Sequence, residues 1–169
     1  EGTNEIVSTA FNGCSSLTSI KLPDSITEIG AHVFDGCSSL TDITIPEKVT
    51  SLGVRAFADC TSLTDIIFPD KVTDIGSYTF ENCSSLVSVK LPEGITEIGD
   101  YVFCGCTSLT DINIPDSVTN IKESAFEKCK SLKSVTFPSN LINIWMWAFF
   151  GCSSLTSIVI PDGVASIGH

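Results

Sequence analysis

The strongest constraint on the fold is that the sequence repeats every 23 residues along its whole length. Phenylalanine and cysteine each recur once per period without a gap, and all seven prolines fall in one column. These columns are Phe11, Phe34, Phe57, Phe80, Phe103, Phe126 and Phe149; Cys14, Cys37, Cys60, Cys83, Cys106, Cys129 and Cys152; and Pro23, Pro46, Pro69, Pro92, Pro115, Pro138 and Pro161. A unit of this size is too small to bury a core alone, so the units must stack as coils of a solenoid and share one core.

Each unit contains the pattern of a short strand that ends at its proline. In the stretch LTSIKLP, Ile20 and Leu22 alternate with polar residues, as in a half-buried strand. Pro23 has no N–H to donate to a neighbouring coil, so the strand is expected to end there. Ile26 and Ile29 then form a second apolar pair, which we expect on the opposite face of the coil.

A tight turn is predicted just before each cysteine. Six of the seven units place Gly, Asn or Asp at this position, and these are the residues that tolerate a positive φ. We therefore expect a left-handed residue in six units, with Lys128 as the exception. The predicted fold is a repeat solenoid of about seven 23-residue coils with short parallel strands, mostly strand and loop. Residues 1–169 are expected to form a single domain that is a fragment of a longer array.

The unit resembles a known family of repeats. Residues 40–60, LTDITIPEKVTSLGVRAFADC, follow the pattern LxxIxIPxxVTxIGxxAFxxC of the BspA-like leucine-rich repeats, and the resemblance covers essentially the whole chain. It implies a leucine-rich repeat solenoid from cell-surface proteins of anaerobic and host-associated bacteria or of some parasitic protists. In that family the repeats look like adhesion or ligand-binding modules, with no catalytic residues to transfer. We therefore expect an extracellular or cell-surface location.

Two residues depart from the family pattern. Lys122 and Trp145 stand where the pattern has glycine, as this chain does at residues 30, 53, 76, 99 and 168. The position therefore does not strictly demand glycine, unless those two coils are locally rearranged.

Charge and hydropathy limit the classes of partner. The net charge of -11 and the sequence pI near 4.3 lack the basic stripe that nucleic acid or an anionic membrane surface requires. No apolar run approaches the roughly 20 residues of a membrane-spanning helix, which argues against membrane insertion. The remaining partners are a protein or a glycan at a cell surface. The chain also starts and stops partway through a coil without a polar cap, so we expect end-to-end self-association.

The eight cysteines are predicted to be reduced. Seven of them form one column, in which stacked side chains point the same way and an odd number cannot pair completely, so we expect buried thiols that pack as small hydrophobic groups. Cys104 lies in a mostly polar column and is expected at the surface, either as a reactive thiol or as an unremarkable free cysteine. The segment Cys104-Gly-Cys106 lacks the second half of a zinc site, so no metal is expected.

Catalysis finds no support in the sequence. His32 and His169 are the only histidines, and the many serines recur once per coil, where a small hydroxyl satisfies backbone groups in a tight bend. We therefore predict no catalytic residues, no cofactor and no enzymatic activity.

Two variable features carry the binding hypothesis. The column two residues before each phenylalanine forms what we call the ridge: Thr9, His32, Arg55, Tyr78, Tyr101, Ser124 and Trp147. Its Tyr, Trp and Arg residues are types that anchor interfaces. The second feature, called here the aromatic cluster, comprises Trp145, Met146, Trp147 and Phe150, which occupy columns filled elsewhere by Gly, small or polar residues and should lie near the surface.

The candidate partner-binding residues are Trp145, Met146, Trp147, Phe150, His32, Arg55, Tyr78 and Tyr101. Two other interpretations stay open. The ridge side chains could instead lie across the turn and cover apolar surface, with Trp145 packing beside Lys122 in a cation–π contact. The whole array could also be a passive spacer within a larger surface protein.

Overall fold

The computed structural model describes residues 3–168, so the first two residues of the predicted domain 1–169 and His169 lie outside the described residues. The described chain is a stack of coils that contains strands and turns but no helix. We begin each coil at its cysteine. The complete coils are 14–36, 37–59, 60–82, 83–105, 106–128 and 129–151, between partial coils at 3–13 and 152–168.

Each coil contributes very short strands that pair in parallel with the neighbouring coils. The strands are β1 (Glu5–Ile6), β2 (Glu28–Ile29), β3 (Ser51–Leu52), β4 (Asp65–Ile67), β5 (Asp74–Ile75), β6 (Ser88–Lys90), β7 (Glu97–Ile98), β8 (Asp111–Asn113), β9 (Asn120–Ile121), β10 (Ser134–Thr136), β11 (Asn143–Ile144) and β12 (Ser166–Ile167). The register pairs residues one period apart, such as Ile66 with Val89 and Ile29 with Leu52. The predicted solenoid of short parallel strands is therefore confirmed.

The strands form three sheets of four. The strands before proline, β4, β6, β8 and β10, make one sheet, while the second strands of the coils make two sheets in the orders β1-β2-β3-β5 and β7-β9-β11-β12. Prediction and structure differ at residues 19–21, 42–44 and 157–159, where the segment before the proline forms no strand. Adjacent coils remain bonded nearby, because the Thr41 N–H donates to the Thr18 carbonyl at 3.2 Å.

A third ladder of hydrogen bonds runs along the turns that precede the cysteines. His32, Phe34 and Gly36 donate their backbone N–H groups to the carbonyls of Val54, Ala56 and Ala58 in the next coil, at 2.8 to 2.9 Å. The pattern repeats from coil to coil, so each turn is fixed by the turn that follows it.

The left-handed position before cysteine is more general than the sequence predicts. Lys128 also has a positive φ, 59°, so its treatment as an exception is wrong. The reason is that its N–H must donate to the Phe150 carbonyl in the next coil, at 2.7 Å, whatever its side chain is. Stacking imposes this backbone conformation, and glycine only makes it easier to adopt.

Phenylalanine rings form the centre of the core. Successive rings of the phenylalanine column stack with centroids 5.2 to 5.6 Å apart, close to the spacing of the coils themselves. The rings from Phe34 to Phe126 are fully buried. One large aromatic side chain per coil thus forms a continuous apolar column, which a coil on its own could not bury.

The cysteine column packs beside these rings and also donates hydrogen bonds. The Cys60 thiol donates to the Phe34 carbonyl at 3.2 Å, and the Cys83 thiol donates to the Phe57 carbonyl at 3.1 Å. Each of these carbonyls already accepts the N–H of the cysteine in its own turn, as the Phe34 carbonyl does from Cys37. The weak S–H donor from the next turn therefore supplies a second hydrogen bond to the same oxygen.

All eight cysteines are free. The predicted burial of the column is confirmed for the five cysteines from Cys37 to Cys129, but it is wrong for Cys14, which is exposed, and Cys152 is half-buried, because these two lie in the end coils.

The structure corrects the predicted position of Cys104. It was expected at the surface, but only 8% of it is exposed, although Phe150 in the same column is 59% exposed. Burial, with the nearby charges of Glu127 and Glu81, raises the pKa of Cys104 to about 11. The exposed member of the set is Cys14.

A glycine column allows close approach between coils. A Cβ added at Gly53 would lie 2.5 Å from the Ala31 nitrogen, a backbone atom that cannot move aside cheaply. At Gly99 the nearest atom is Cγ2 of Val102, at 3.3 Å. This wider spacing coincides with the place where β5 and β7 fail to pair. Lys122 and Trp145, in the same column, still donate N–H bonds of 2.9 Å to the preceding coil.

We predict that Cys14 reacts first in native protein and that all eight thiols react after denaturation without reductant. Thiol titration with an aromatic disulfide reagent measures both numbers. Cys14→Ser should abolish the fast phase and Cys104→Ser should leave it intact. The reverse pattern would contradict the burial of Cys104.

We predict that Gly53→Ala destabilises the fold by at least about 2 kcal/mol, because its Cβ overlaps backbone. Gly99→Ala is the matched control and should cost less than about 1 kcal/mol, because only a side chain must yield. Chemical denaturation followed by circular dichroism gives both values. Equal costs would show that close approach does not explain the glycine column.

Candidate functional site

The ridge is built on strained backbone. All seven ridge residues have φ between 52° and 64°, although none is glycine. Such a conformation costs about 1 kcal/mol or more for a residue with a Cβ, and it is maintained here because each turn bonds to its neighbour. The consequence is that ridge side chains leave the solenoid from a fixed backbone geometry, one per coil.

The first half of the ridge is an ion-pair network. Arg55 Nε donates to Asp35 Oδ2 at 3.0 Å, Arg55 Nη2 donates to Asp59 Oδ2 at 2.9 Å, and Arg55 Nη1 contacts Glu81. His32 Nδ1 lies 2.9 Å from the same Asp35 oxygen. Burial alone would raise the pKa of Asp35, but the hydrogen bonds from Arg55 and His32 outweigh it and lower that pKa.

The middle of the ridge is an aromatic stack. The rings of Tyr78 and Tyr101 are parallel to within 6°, with centroids 4.7 Å apart. The Tyr101 hydroxyl donates to Glu123 Oε1 at 3.2 Å, and the Glu123 N–H donates to Asp100 Oδ1 at 3.2 Å. Both rings are half-buried, so each keeps one part on neighbouring side chains and another part facing solvent.

The aromatic cluster lies at the surface, as expected. Trp145, Met146, Trp147 and Phe150 expose 49%, 41%, 48% and 59% of their surface. The cation–π contact considered for Trp145 is also present, because Lys122 Nζ lies 5.1 Å from the centroid of its ring. Trp145 is therefore both packed against Lys122 and accessible from outside.

A slot opens between the stack and the cluster. Ser124, the ridge residue between Tyr101 and Trp147, is fully buried and leaves the space between the two rings open. Tyr101, Trp147, Phe150 and Glu127 line a cavity of about 470 Å³ at this point. The Lys128 ammonium donates to Glu127 Oε1 at 2.7 Å, which lowers the pKa of Glu127. We call this cavity the aromatic slot.

The structure brings the predicted site residues together in two groups. His32 and Arg55 belong to the ion-pair network, whereas Tyr101, Trp147 and Phe150 meet at the aromatic slot. Glu127 and the small residue Ser124 were not among the predicted site residues. The signal was present in the ridge column, where one serine separates two aromatic residues that lie two periods apart.

Residues 3–168 contain neither a metal-binding cluster nor a membrane-spanning helix. No cluster of three or more His, Cys, Asp or Glu side chains there is placed to hold a metal ion. No helix in this part of the chain is long and apolar enough to cross a membrane.

Comparison with known proteins places this fold in a family. The model of the BspA-type leucine-rich repeat region matches the chain in six copies, over residues 4–130 and 96–169. The chain belongs to the BspA-type leucine-rich repeat family. The resemblance stated from the sequence is therefore confirmed. None of the curated protein sequences matches this chain.

Solved structures of leucine-rich repeat proteins agree with this assignment. A leucine-rich repeat protein from Bacteroides ovatus is 30% identical over 97% of this chain, with a TM-score of 0.86, and the chain spans 48% of that protein. A leucine-rich repeat protein from T. pallidum is 36% identical over 90% of this chain, with a TM-score of 0.86, and 72% of it is covered. A leucine-rich cell surface protein from Faecalibacterium prausnitzii is 29% identical over 98% of this chain, with a TM-score of 0.70 and 51% of its length covered.

We predict that Asp35→Asn lowers the free energy of unfolding at pH 7 by about 1 to 2 kcal/mol, because it removes charged hydrogen bonds in a partly exposed network. The lowered pKa means that the ionised Asp35 stabilises the fold above its unfolded pKa of about 3.9 and loses this effect as the pH falls through the folded value. The difference between the two proteins should therefore shrink below about pH 4.

Denaturant unfolding across this pH range measures the effect. Asp70→Asn, at an exposed position, is the control and should change stability by less than about 0.5 kcal/mol. A difference for Asp35→Asn that stays constant down to low pH would contradict the charged network.

Proposed function

We propose that this BspA-type repeat is a binding module displayed at a cell surface, where it engages a protein or glycan partner. The observation that carries the proposal is the exposed aromatic cluster on a backbone held by the turn ladder. Large aromatics present about 150 to 250 Å² each, so four half-exposed residues reach the few hundred Å² that soluble proteins usually reserve for an interface. Rigid aromatic anchors also lose little conformational entropy on binding.

Chemistry and one relative support the proposed location and partner class. The Faecalibacterium prausnitzii relative is described as a cell surface protein, which supports the same location for this chain. The net charge of -11 favours partners that are not strongly acidic. Within this proposal the aromatic cluster supplies the apolar contact area, and the ridge sets the spacing between contacts.

A passive spacer is the second candidate, and one observation favours it. Arg55 is held by three carboxylates of the chain itself, and the two ridge tyrosines stack on each other. Side chains occupied in this way cover the turns and have less capacity for an outside partner. The spacer interpretation therefore fits the first half of the ridge better than it fits the aromatic cluster.

We predict that the double variant Trp147→Ser, Phe150→Asp keeps the melting temperature within about 3 °C of the parent, because both side chains are exposed. If the cluster is a hot spot, binding should weaken at least tenfold, the equivalent of about 1.4 kcal/mol. The measurement is binding to immobilised extracellular-matrix proteins and to a glycan panel, with melting followed by circular dichroism.

Ile67→Thr is the matched control. Ile67 is exposed on β4, in the sheet of the strands before proline, and threonine is the residue of the same column at positions 44 and 136. Its binding should equal that of the parent. A large loss of stability in the double variant with binding intact would mean that the cluster covers the core, and the spacer would then be the better account. Light scattering of the same proteins tests the proposed end-to-end association.

A further inference from the structure

We propose that the aromatic slot is a binding site for an alkylated ammonium group, of the quaternary type found in choline. This inference rests on the proposed binding function and names the chemistry of one contact within it. The slot has aromatic walls, a carboxylate at its edge and a surrounding field that is negative. No other site on the described surface combines these three properties.

The walls have the spacing that a compact cation needs. Tyr101 and Trp147 lie two coils apart and line one cavity. Stacked strands are about 4.8 Å apart, so two coil spacings span about 9.6 Å. A cation at the level of the intervening coil would lie about one coil spacing from each wall residue, and a cation is attracted to an aromatic face within roughly 6 Å. Phe150 closes a third side of the cavity.

The space exists because of a single small residue. Every other gap in this part of the ridge is filled, as the 4.7 Å stack of Tyr78 on Tyr101 shows. Ser124 interrupts this stacking, and its hydroxyl is buried without a hydrogen-bond partner. A larger side chain at this position would fill the slot in the way that Tyr101 covers Tyr78.

Charge selects a cation over a neutral ligand of the same shape. Glu127 lines the slot. The Glu123 carboxylate accepts a hydrogen bond from the Tyr101 hydroxyl at 3.2 Å, and the Asp100 carboxylate accepts the Glu123 N–H at 3.2 Å. Lys128 is the only cation paired with this group in the described chain, and its ammonium occupies one oxygen of Glu127. An alkylated ammonium group is weakly hydrated, so contact with aromatic faces stabilises it more than water does. The Lys128 ammonium is strongly hydrated, so it is better stabilised by water.

Lys128 provides a specific test, because its ammonium competes with any bound cation for the Glu127 carboxylate. Removing its charge should strengthen the binding of a cation and leave a neutral ligand unaffected. Lys128→Asn is the suitable variant, since Asn82 occupies the same column with the same left-handed backbone, φ 58°.

The experiment titrates the full chain with choline chloride at constant ionic strength, by calorimetry and by tryptophan fluorescence. The comparison ligand is dimethylbutanol, the neutral carbon isostere of choline. A short peptide carrying trimethyl-lysine distinguishes a protein-borne ammonium group from a free one. Trp145→Gly, which restores the residue of its column, leaves Trp147 as the only tryptophan, so that the tryptophan signal reports on the slot alone.

We expect saturable binding of choline but not of its isostere. Trp147→Ser, which copies Ser124 one coil earlier, should weaken binding about 3- to 30-fold. Glu127→Gln should weaken it, and Lys128→Asn should strengthen it at least about twofold. Equal binding of choline and dimethylbutanol, or no saturation in the millimolar range, would overturn the proposal.

The outcomes separate this inference from the proposed function. If choline fails to bind while the variant Trp147→Ser, Phe150→Asp still loses its surface partner, the ammonium site is wrong and the binding module stands. If choline binds with the expected variant pattern while no surface partner is found, the site stands and the adhesive function falls.

Discussion

The structure depends on backbone hydrogen bonds that each coil can make only with its neighbours. Turn residues such as Phe57 donate forward to the next coil, at 2.9 Å, whereas residues such as Gly53 donate backward to the coil before, at 2.8 Å. A single coil would leave all of these groups unpaired, and leaving a buried polar group unpaired is costly. Stacking is therefore required, and it forces the core columns to recur with an invariant period.

The same bonds explain why variable residues are concentrated on one edge of the molecule. The turn ladder fixes the ridge backbone in a left-handed conformation whatever the side chain, so Thr, His, Arg, Tyr, Ser and Trp all occupy it. Interior columns are either invariant, as for phenylalanine and cysteine, or exchange one apolar residue for another, as Leu22 and Phe68 do, because each side chain must pack on its neighbours above and below. Differences between coils, and with them any specific recognition, must come from the outward positions. The alternation of Tyr101, Ser124 and Trp147 is the clearest such difference.

The sequence predicts the fold well because its period is strict and its proline and cysteine columns have one structural reading. It does less well wherever stacking overrides residue preference. The left-handed ridge was invisible because none of its residues favours a positive φ, and Lys128 was excluded for the same reason. The mostly polar column predicts an outward position for Cys104, whereas the residue is buried, and this burial, with the nearby charges of Glu127 and Glu81, raises its pKa. The aromatic slot could have been found by reading the ridge column two coils apart.

Native-state hydrogen exchange tests the central claim most directly, namely that the turn ladder is continuous and holds the ridge in place. The account predicts that the amides of Phe57, Phe80 and Phe103, which all donate to the next coil, exchange only through global unfolding. The Gly99 amide should exchange faster than the Gly76 amide, because Gly76 bonds to Leu52 at 2.8 Å while β5 and β7 do not pair. Fast exchange at the three phenylalanines, with Gly99 as protected as Gly76, would contradict the account.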